Sequence, residues 1–451
     1  MARVKRTEKS CLVDPLKMSQ PIGAAMAFLG VDQGLPLLLG SSGCATVGLV
    51  FLVRHFQELL AIETLAVNEV DAVLGEPAKL EQALLALHER SAPALIGLVS
   101  TGLAEARGDD PRGMLRQIRA KYARSRPEFA AMAMVSVATP DFTGAYQDGW
   151  GAAVAAMVEE LVRPSWPARP GGARRERQVN ILAGQHLTPG DLEEIRQSLE
   201  CFGLTPIVLP DVSGALGSRP AGLDGRGTAR AVSLEDIRSM GASVFTIAVG
   251  EHMRRAAHSL HALAGVPFRV FDRLTGLGPS DDFVALLSEL SGIAAPDRFR
   301  RQRGQLLDAM LLAQASFGGM KAAVALDPDQ LFSVCSWLAD MGAEVRAAVS
   351  SAASPILARI PAEEVLIGDL EDLELGAAGA DLLIAPSSAS RAAGRLGLPL
   401  LRAGMPVSDR LGAGHKVSVG YRGTRDLIFE AANLLLESRG EPGEAGRLSP
   451  V

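Results

Sequence analysis

Cys44 stands where a cysteine can become reactive. The stretch Gly34 to Leu60 reads as a buried strand (Leu35–Leu39), a loop of small residues (Gly40-Ser41-Ser42-Gly43) and a helix beginning near Cys44. A thiol at that junction faces the first turn of a helix, whose unpaired N–H groups favour negative charge. Such a setting lowers a cysteine pKa and suits thiolate chemistry or anion binding. A lone cysteine among Gly, Ala and Val also fits a small packed core residue, and the stretch by itself leaves both readings open. The other cysteines, Cys11, Cys201 and Cys335, are widely scattered. No CxxC pair exists, which argues against a zinc ribbon or a self-contained iron–sulfur motif. If Cys44 ligates a metal cluster, most of the other ligands must come from a second chain.

The remaining chemistry-bearing residues point less far. His55 follows Arg54 in the helix after Cys44 and reads as a helix-seam residue that also has the means to hydrogen-bond a cluster. His252, His258 and His261 are read as one helix, with the last two on one face, but no carboxylate at matching spacing completes a metal site. Glu363 to Glu374 carries six acids and no base, the pattern of a solvated loop and helix start. No GxxxxGK[ST] phosphate loop is present, so ATP hydrolysis is not expected of this chain.

The elements that must position these residues alternate in type. After a helix opening at Pro21 and the strand before Cys44 come a helix near Lys79–Glu89 and a continuous apolar strand, Ala94–Ser100. The exit of that strand, Ser100-Thr-Gly-Leu-Ala-Glu105, lies where doubly wound sheets bind ligands. Helix Arg112–Tyr122, strand Ala131–Val137 and helix Gly149–Leu161 follow, and Val162–Gln178, rich in Pro, Gly and Arg, reads as a linker. A second array has strands at Val179–Leu182, Pro206–Leu209, Val244–Val249 and Pro267–Phe271. Its helix Thr188–Phe202 opens on the start signal Thr188-Pro-Gly-Asp191. After a long helix, Asp297–Phe317, a third array has strands at Lys321–Leu326, Glu344–Val349, Val365–Ile367, Asp381–Ala385 and Pro399–Leu401, and ends in helix Thr424–Leu436. The expectation is an α/β protein of three doubly wound, parallel-sheet (Rossmann-like) domains at 1–171, 172–296 and 297–451.

Composition agrees. The 451 residues are 48% hydrophobic with only 4% aromatic and 47 Gly, which suits tight helix-on-sheet layers, and the length suggests about three domains. A net charge of −6 suggests neither a nucleic acid nor an anionic membrane as partner. The basic start MARVKRTEKS is followed by no apolar h-region, and no apolar run reaches about 18 residues, so a soluble, cytoplasmic chain is expected.

Read together, several segments resemble one family. They are Pro15-Leu-Lys-Met-Ser-Gln-Pro-Ile-Gly-Ala24, Pro36 to Cys44, Arg54-His-Phe56, Ser100 to Glu105, Thr139-Pro-Asp-Phe142, Leu187 to Leu192, Arg298 to Asp308 and Gly423 to Phe429. The chain is similar to the β-type subunits of the nitrogenase component-1 superfamily, most of all to the β-like half of its cofactor-assembly scaffold. Nitrogenase β subunits carry three cysteines in the first domain that hold half of an eight-iron cluster. The resemblance places those positions at Ser19, Cys44 and about Gly102, so one thiolate of three remains. Iron–sulfur clusters select soft thiolates, and Ser19 and Gly102 offer none.

The resemblance therefore implies that Cys44 is the one metal ligand, and the one cofactor-binding residue, that this chain gives to a [4Fe-4S] cluster shared with the partner subunit. It implies a NifE-like α subunit in an α2β2 heterotetramer, and a transient iron–molybdenum cofactor precursor held by the complex. A NifB-type donor would supply the precursor, an ATP-dependent iron protein would serve its maturation, and apo-nitrogenase would receive the product. Val73-Leu-Gly75 would face the iron protein. No catalytic residue and no independent turnover are expected. Two other readings stand beside this one: a β-type subunit of a redox enzyme, nitrogenase or dark protochlorophyllide reductase, and a small-molecule binding module in which Cys44 is a core residue.

Overall fold

The structure, a computed structural model, describes residues 1–9, 13–40, 48, 50, 52, 53, 55, 56, 60–66, 77–108, 110–163, 174–216 and 231–440. Among them, strands that are short and mostly apolar form three sheets in which every pairing is parallel. Leu95–Ser100 is buried along its whole length, as a parallel strand covered on both faces must be.

The first sheet is β3-β2-β4-β5, with β2 at Gly34–Gly40, β3 at Glu63–Ala66, β4 at Leu95–Ser100 and β5 at Ala133–Val137. The second is β7-β6-β8-β9, with β6 at Arg175–Leu182, β7 at Thr205–Leu209, β8 at Ser243–Val249 and β9 at Phe268–Phe271. The third is β1-β12-β11-β10-β13-β14, with β1 at Arg3–Arg6 and β10 to β14 at Lys321–Leu326, Glu344–Ser350, Glu364–Ile367, Leu382–Ala385 and Leu400–Arg402. In each sheet the chain runs to one side of its first central strand and then reverses. The reversals lie between β2 and β4, between β6 and β8, and between β10 and β13, and crevices at such points are where doubly wound folds take ligands.

The α/β reading with three parallel sheets holds. Helix Pro189–Cys201 starts where expected: Thr188 Oγ1 accepts from the Asp191 amide at 2.9 Å, and Asp191 returns the bond to the Thr188 amide at 3.0 Å. Helix Asp297–Phe317 has the expected bounds, and helix Gly420–Ser438 is longer at both ends than its apolar period suggested. The linker expected at Val162–Gln178 ends early, because β6 already begins at Arg175. Residues 441–451, expected as a frayed tail, lie outside the described residues.

The compact units divide the chain differently from 1–171, 172–296 and 297–451. One unit is Met18–Phe271 and carries the first two sheets; the other joins Met1–Lys17 to Asp272–Val451 and carries the third. The cause is β1, which pairs with β12 (Arg3 with Glu364, Arg6 with Ile367). Lys5 Nζ lies 2.6 Å from the Glu364 carboxylate, and Leu16 is buried in the core beneath the third sheet. Further along, the Lys9 ammonium lies 2.6 Å from Asp369, 3.0 Å from Glu371 and 3.1 Å from Asp372. Asp369 also accepts from the Val13 amide at 2.7 Å. The acidic run thus serves as the anchor for the N-terminal segment.

Candidate functional site

The first sheet's crevice brings Ser19 and Gly102 to one rim. Strands β2 and β4 lie side by side with Leu39 opposite Ser100, so the two strands end together at one edge of the sheet. Thr101 Oγ1 donates to the Leu39 carbonyl at 2.7 Å and ties the two exits. A Cβ at Gly40 would fall 2.7 Å from the Thr101 side chain, so this crossing needs glycine. Ser100 braces the second loop: its hydroxyl donates to Glu105 and accepts from the Thr139 amide at 2.9 Å. The Thr139 hydroxyl donates back to the Ser100 carbonyl. The motif Ser100 to Glu105 is therefore a braced strand exit, fastened to the loop after β5.

That loop supplies a residue to which the sequence reading gave no role. Asp141 accepts from the Ser19 hydroxyl at 3.1 Å and from the Gln20 amide at 2.8 Å, and so holds the start of helix Gln20–Leu29. A Cβ at Gly102 would lie 3.8 Å from Asp141 Cβ and 3.8 Å from the Phe142 ring, ordinary contact distances. Ser19 bonds the Asp141 carboxylate and Gly102 packs beside the same residue, near the exposed ring of Phe142. In the sequence Asp141 stood only as part of the motif Thr139-Pro-Asp-Phe142, which gave it no role of its own.

Cys44, Cys11 and Val73-Leu74-Gly75 lie outside the described residues. The positions flanking Cys11, Lys9 and Val13, both bind Asp369. Cys201 is exposed at the end of its helix, whereas Cys335 is fully buried, and burial pushes its thiol far above the ordinary range, so it is an inert core residue. His55 lies edge-on to Phe56, with ring centres 4.7 Å apart.

The expected histidine helix is corrected. His252 belongs to the preceding turn, Glu251–Met253, where its Nε2 accepts from the Gln185 amide at 3.1 Å. His258 and His261, in helix Arg254–Ala264, both lie edge-on to Phe268. The turn rotates His252 toward the strand exits, and the other two cover the end strand β9. Among the described residues no group of three His, Cys, Asp or Glu is arranged to hold a metal ion.

An iron–sulfur cluster would need its ligand from outside the described rim of the first crevice. The Ser19 hydroxyl is engaged with Asp141 and Gly102 has no side chain, so the described rim offers no thiolate.

The second crevice is filled from within the same unit. Trp150, on helix Tyr146–Leu161, is buried, and its indole N–H donates to the Ala183 carbonyl at 2.8 Å just past β6. On the far side a Cβ at Gly151 would fall 2.7 Å from the His252 carbonyl just past β8. A separate cleft of about 470 Å³ at the outer edge of that sheet is lined by Arg175, Arg196, Glu200, Asp211 and Asp236, among others. Arg196 is paired with Asp211 in that cleft. None of these was singled out in the sequence. Among the described residues no helix is long and apolar enough to cross a membrane.

The profile of nitrogenase component 1 type oxidoreductases matches residues 19–436. A curated relative from Bradyrhizobium diazoefficiens, named nitrogenase iron-molybdenum cofactor biosynthesis protein NifN, is 50% identical over 444 residues, covering 98% of this chain and 93% of the relative. A relative of the same name from Nostoc is 43% identical over 438 residues, covering 97% and 96%. Among solved structures, nitrogenase Cp1 at pH 6.5 superimposes with a TM-score of 0.88 at 27% identity, covering 99% of this chain and 98% of that one.

Proposed function

Since the chain belongs to the nitrogenase component 1 type oxidoreductase family, we propose that it is a β-like scaffold subunit in the biosynthesis of the nitrogenase iron–molybdenum cofactor. It pairs with a NifE-like α subunit as an α2β2 heterotetramer. The pair holds a [4Fe-4S] cluster at its interface and, transiently, a cofactor precursor. A NifB-type donor delivers the precursor, the ATP-dependent iron protein serves its maturation, and apo-nitrogenase receives the product. The chain acts in the cytoplasm as a scaffold, without turnover of its own.

The observation that carries this reading is the rim of the first crevice. Ser19 is tied to Asp141, Gly102 is bare, and neither can replace a thiolate. One soft ligand, Cys44, suits a cluster whose other three thiolates belong to a partner. When bound, that cluster supplies a one-electron relay. This chain's own residues do the positioning: Thr101 and Ser100 fix the two strand exits, and Asp141 fixes the start of helix Gln20–Leu29. The nitrogenase β-type alternative would need thiolates at positions 19 and 102 as well.

The test is anaerobic co-expression with a NifE-like partner, followed by iron analysis and EPR of wild type and Cys44→Ala. The variant is expected to assemble and to lose one four-iron cluster per αβ pair. Unchanged iron in the variant removes the ligand assignment, and an iron-free wild-type complex favours a binding module.

A further inference from the structure

We propose that strand β1 is a detachable edge strap. While bound, it keeps the third sheet from pairing with a second copy of this chain, and when it lifts, that pairing opens. The sheet ends in the order β1-β12-β11, so without β1 its free edge would be β12. The two edges differ in chemistry. β12 offers Val365-Leu366-Ile367, three uncharged residues of which two are β-branched, and Leu366 and Ile367 are only half-buried even beside the strap. An edge of that kind is a template for another chain's backbone. β1 is Arg3-Val-Lys-Arg6, exposed along its whole length, and a basic edge repels its own copy. The strap thus replaces an adhesive edge by a charged one.

The way β1 is held makes it separable from the sheet. The Arg3 amide donates to the Glu363 carbonyl at 3.0 Å, and the Thr7 amide donates to the Ile367 carbonyl at 2.9 Å. Arg3 and Lys5 reach the Glu364 carboxylate at 3.3 and 2.6 Å, but both side chains are exposed, and ion pairs in water add little. The firmer hold lies just beyond the strand, where Lys9 meets the buried Asp369 at 2.6 Å. Leu16, buried in the core beneath the same sheet, fixes the base of the segment. A four-residue strand fastened by backbone bonds and exposed charges opens locally at less than the cost of global unfolding. Leu16 keeps it tethered for return. With the strap lifted, the β12 edges of two copies pair across a twofold axis, each presenting the same residues to the other. This inference concerns one unit of the chain and is independent of any cluster.

The experiment measures mass in solution, by size-exclusion chromatography with light scattering, for the full chain and for a chain lacking residues 2–9. The truncated chain is expected to reach about twice the mass of the full chain, as edge-to-edge pairing of two copies requires. Adding L366K to the truncation places a charge on the bared edge and is expected to return the mass to that of the full chain. Unchanged mass in a truncated chain that keeps the full chain's circular dichroism overturns the proposal. So does an enlarged mass that L366K leaves enlarged, since that is the mark of misfolding rather than of strand pairing. K5E/K9E carries the same test with the strap retained, in case the truncated chain does not fold. It sets like charges against Glu364 and Asp369 and is expected to move a measurable fraction to the doubled mass. The full chain's mass throughout overturns the proposal.

Discussion

The crevices of the first and second sheets arise from the same topology and end in opposite states. Between β2 and β4 the strand exits are fastened by small polar side chains, Ser100, Thr101 and Thr139, and the rim carries Ser19 and Asp141. Between β6 and β8 the exits meet an indole, which satisfies the Ala183 carbonyl, and the His252 ring, which accepts from the Gln185 amide. A topological switch point therefore offers a location, and the residues at the strand ends decide between a site and a socket. Here the socket fixes helix Tyr146–Leu161, which in turn crosses helix Gln20–Leu29 at close range. A Cβ at Gly149 would fall 1.8 Å from the Gln20 carbonyl. The filled crevice thus braces the helix whose first residues line the open one.

The comparison breaks most visibly at Trp150. Trp150→Ala is expected to destabilise the fold by about 3–5 kcal/mol, the usual range for a buried Trp, in urea titration. Iron per assembled complex should not change, because a socket holds no cluster. Altered iron would mean that the second crevice is a site after all. Ser100→Ala is the converse. It leaves the buried Thr139 amide without its acceptor and should cost about 1–3 kcal/mol, while iron is retained less well after gel filtration because the rim loses its brace. Equal effects of the two variants on iron would erase the distinction between the crevices.

The smallest effect concerns the N-terminal anchor, which belongs to neither crevice. Burial pushes the Asp369 carboxyl up, but the Lys9 ammonium and the amides of Val13 and Asp372 outweigh it and hold the group below the usual carboxylate range. Its stabilisation is therefore complete above the unfolded pKa of about 3.9 and is lost as pH falls through the folded value. Hydrogen exchange of residues 3–9 should accelerate below about pH 4, while β2 and β4 stay protected. Simultaneous loss in both would show that the anchor and the first sheet are not independent.

Much of this architecture was legible because buried parallel strands are continuous apolar runs. Leu95–Ser100 and Lys321–Leu326 declare themselves in that way. Strands β1 and β3 were not legible: Arg3–Arg6 is exposed throughout, and Glu63–Ala66 is short and half-buried, so neither shows a period. At the site, Ser19 and Gly102 could be located by motif, but their meeting at Asp141 joins residues 122 apart in sequence, which no local pattern encodes. Trp150 reads as one more apolar position on a helix. Its bond to the Ala183 carbonyl depends on how two sheets are joined, and only the fold reveals it.

The pairing of β1 with β12 also sets a timetable. Arg6 is made at the start of translation and its partner Ile367 some 360 residues later, which at about 5–20 residues per second is roughly 20–70 s. Throughout that interval the basic N-terminal strand has no edge to join, whereas Met18–Phe271 can complete its own core. The unit carrying the first crevice is therefore finished first on the ribosome. The anchor closes last, when the acidic run from Glu363 emerges to receive Lys5 and Lys9.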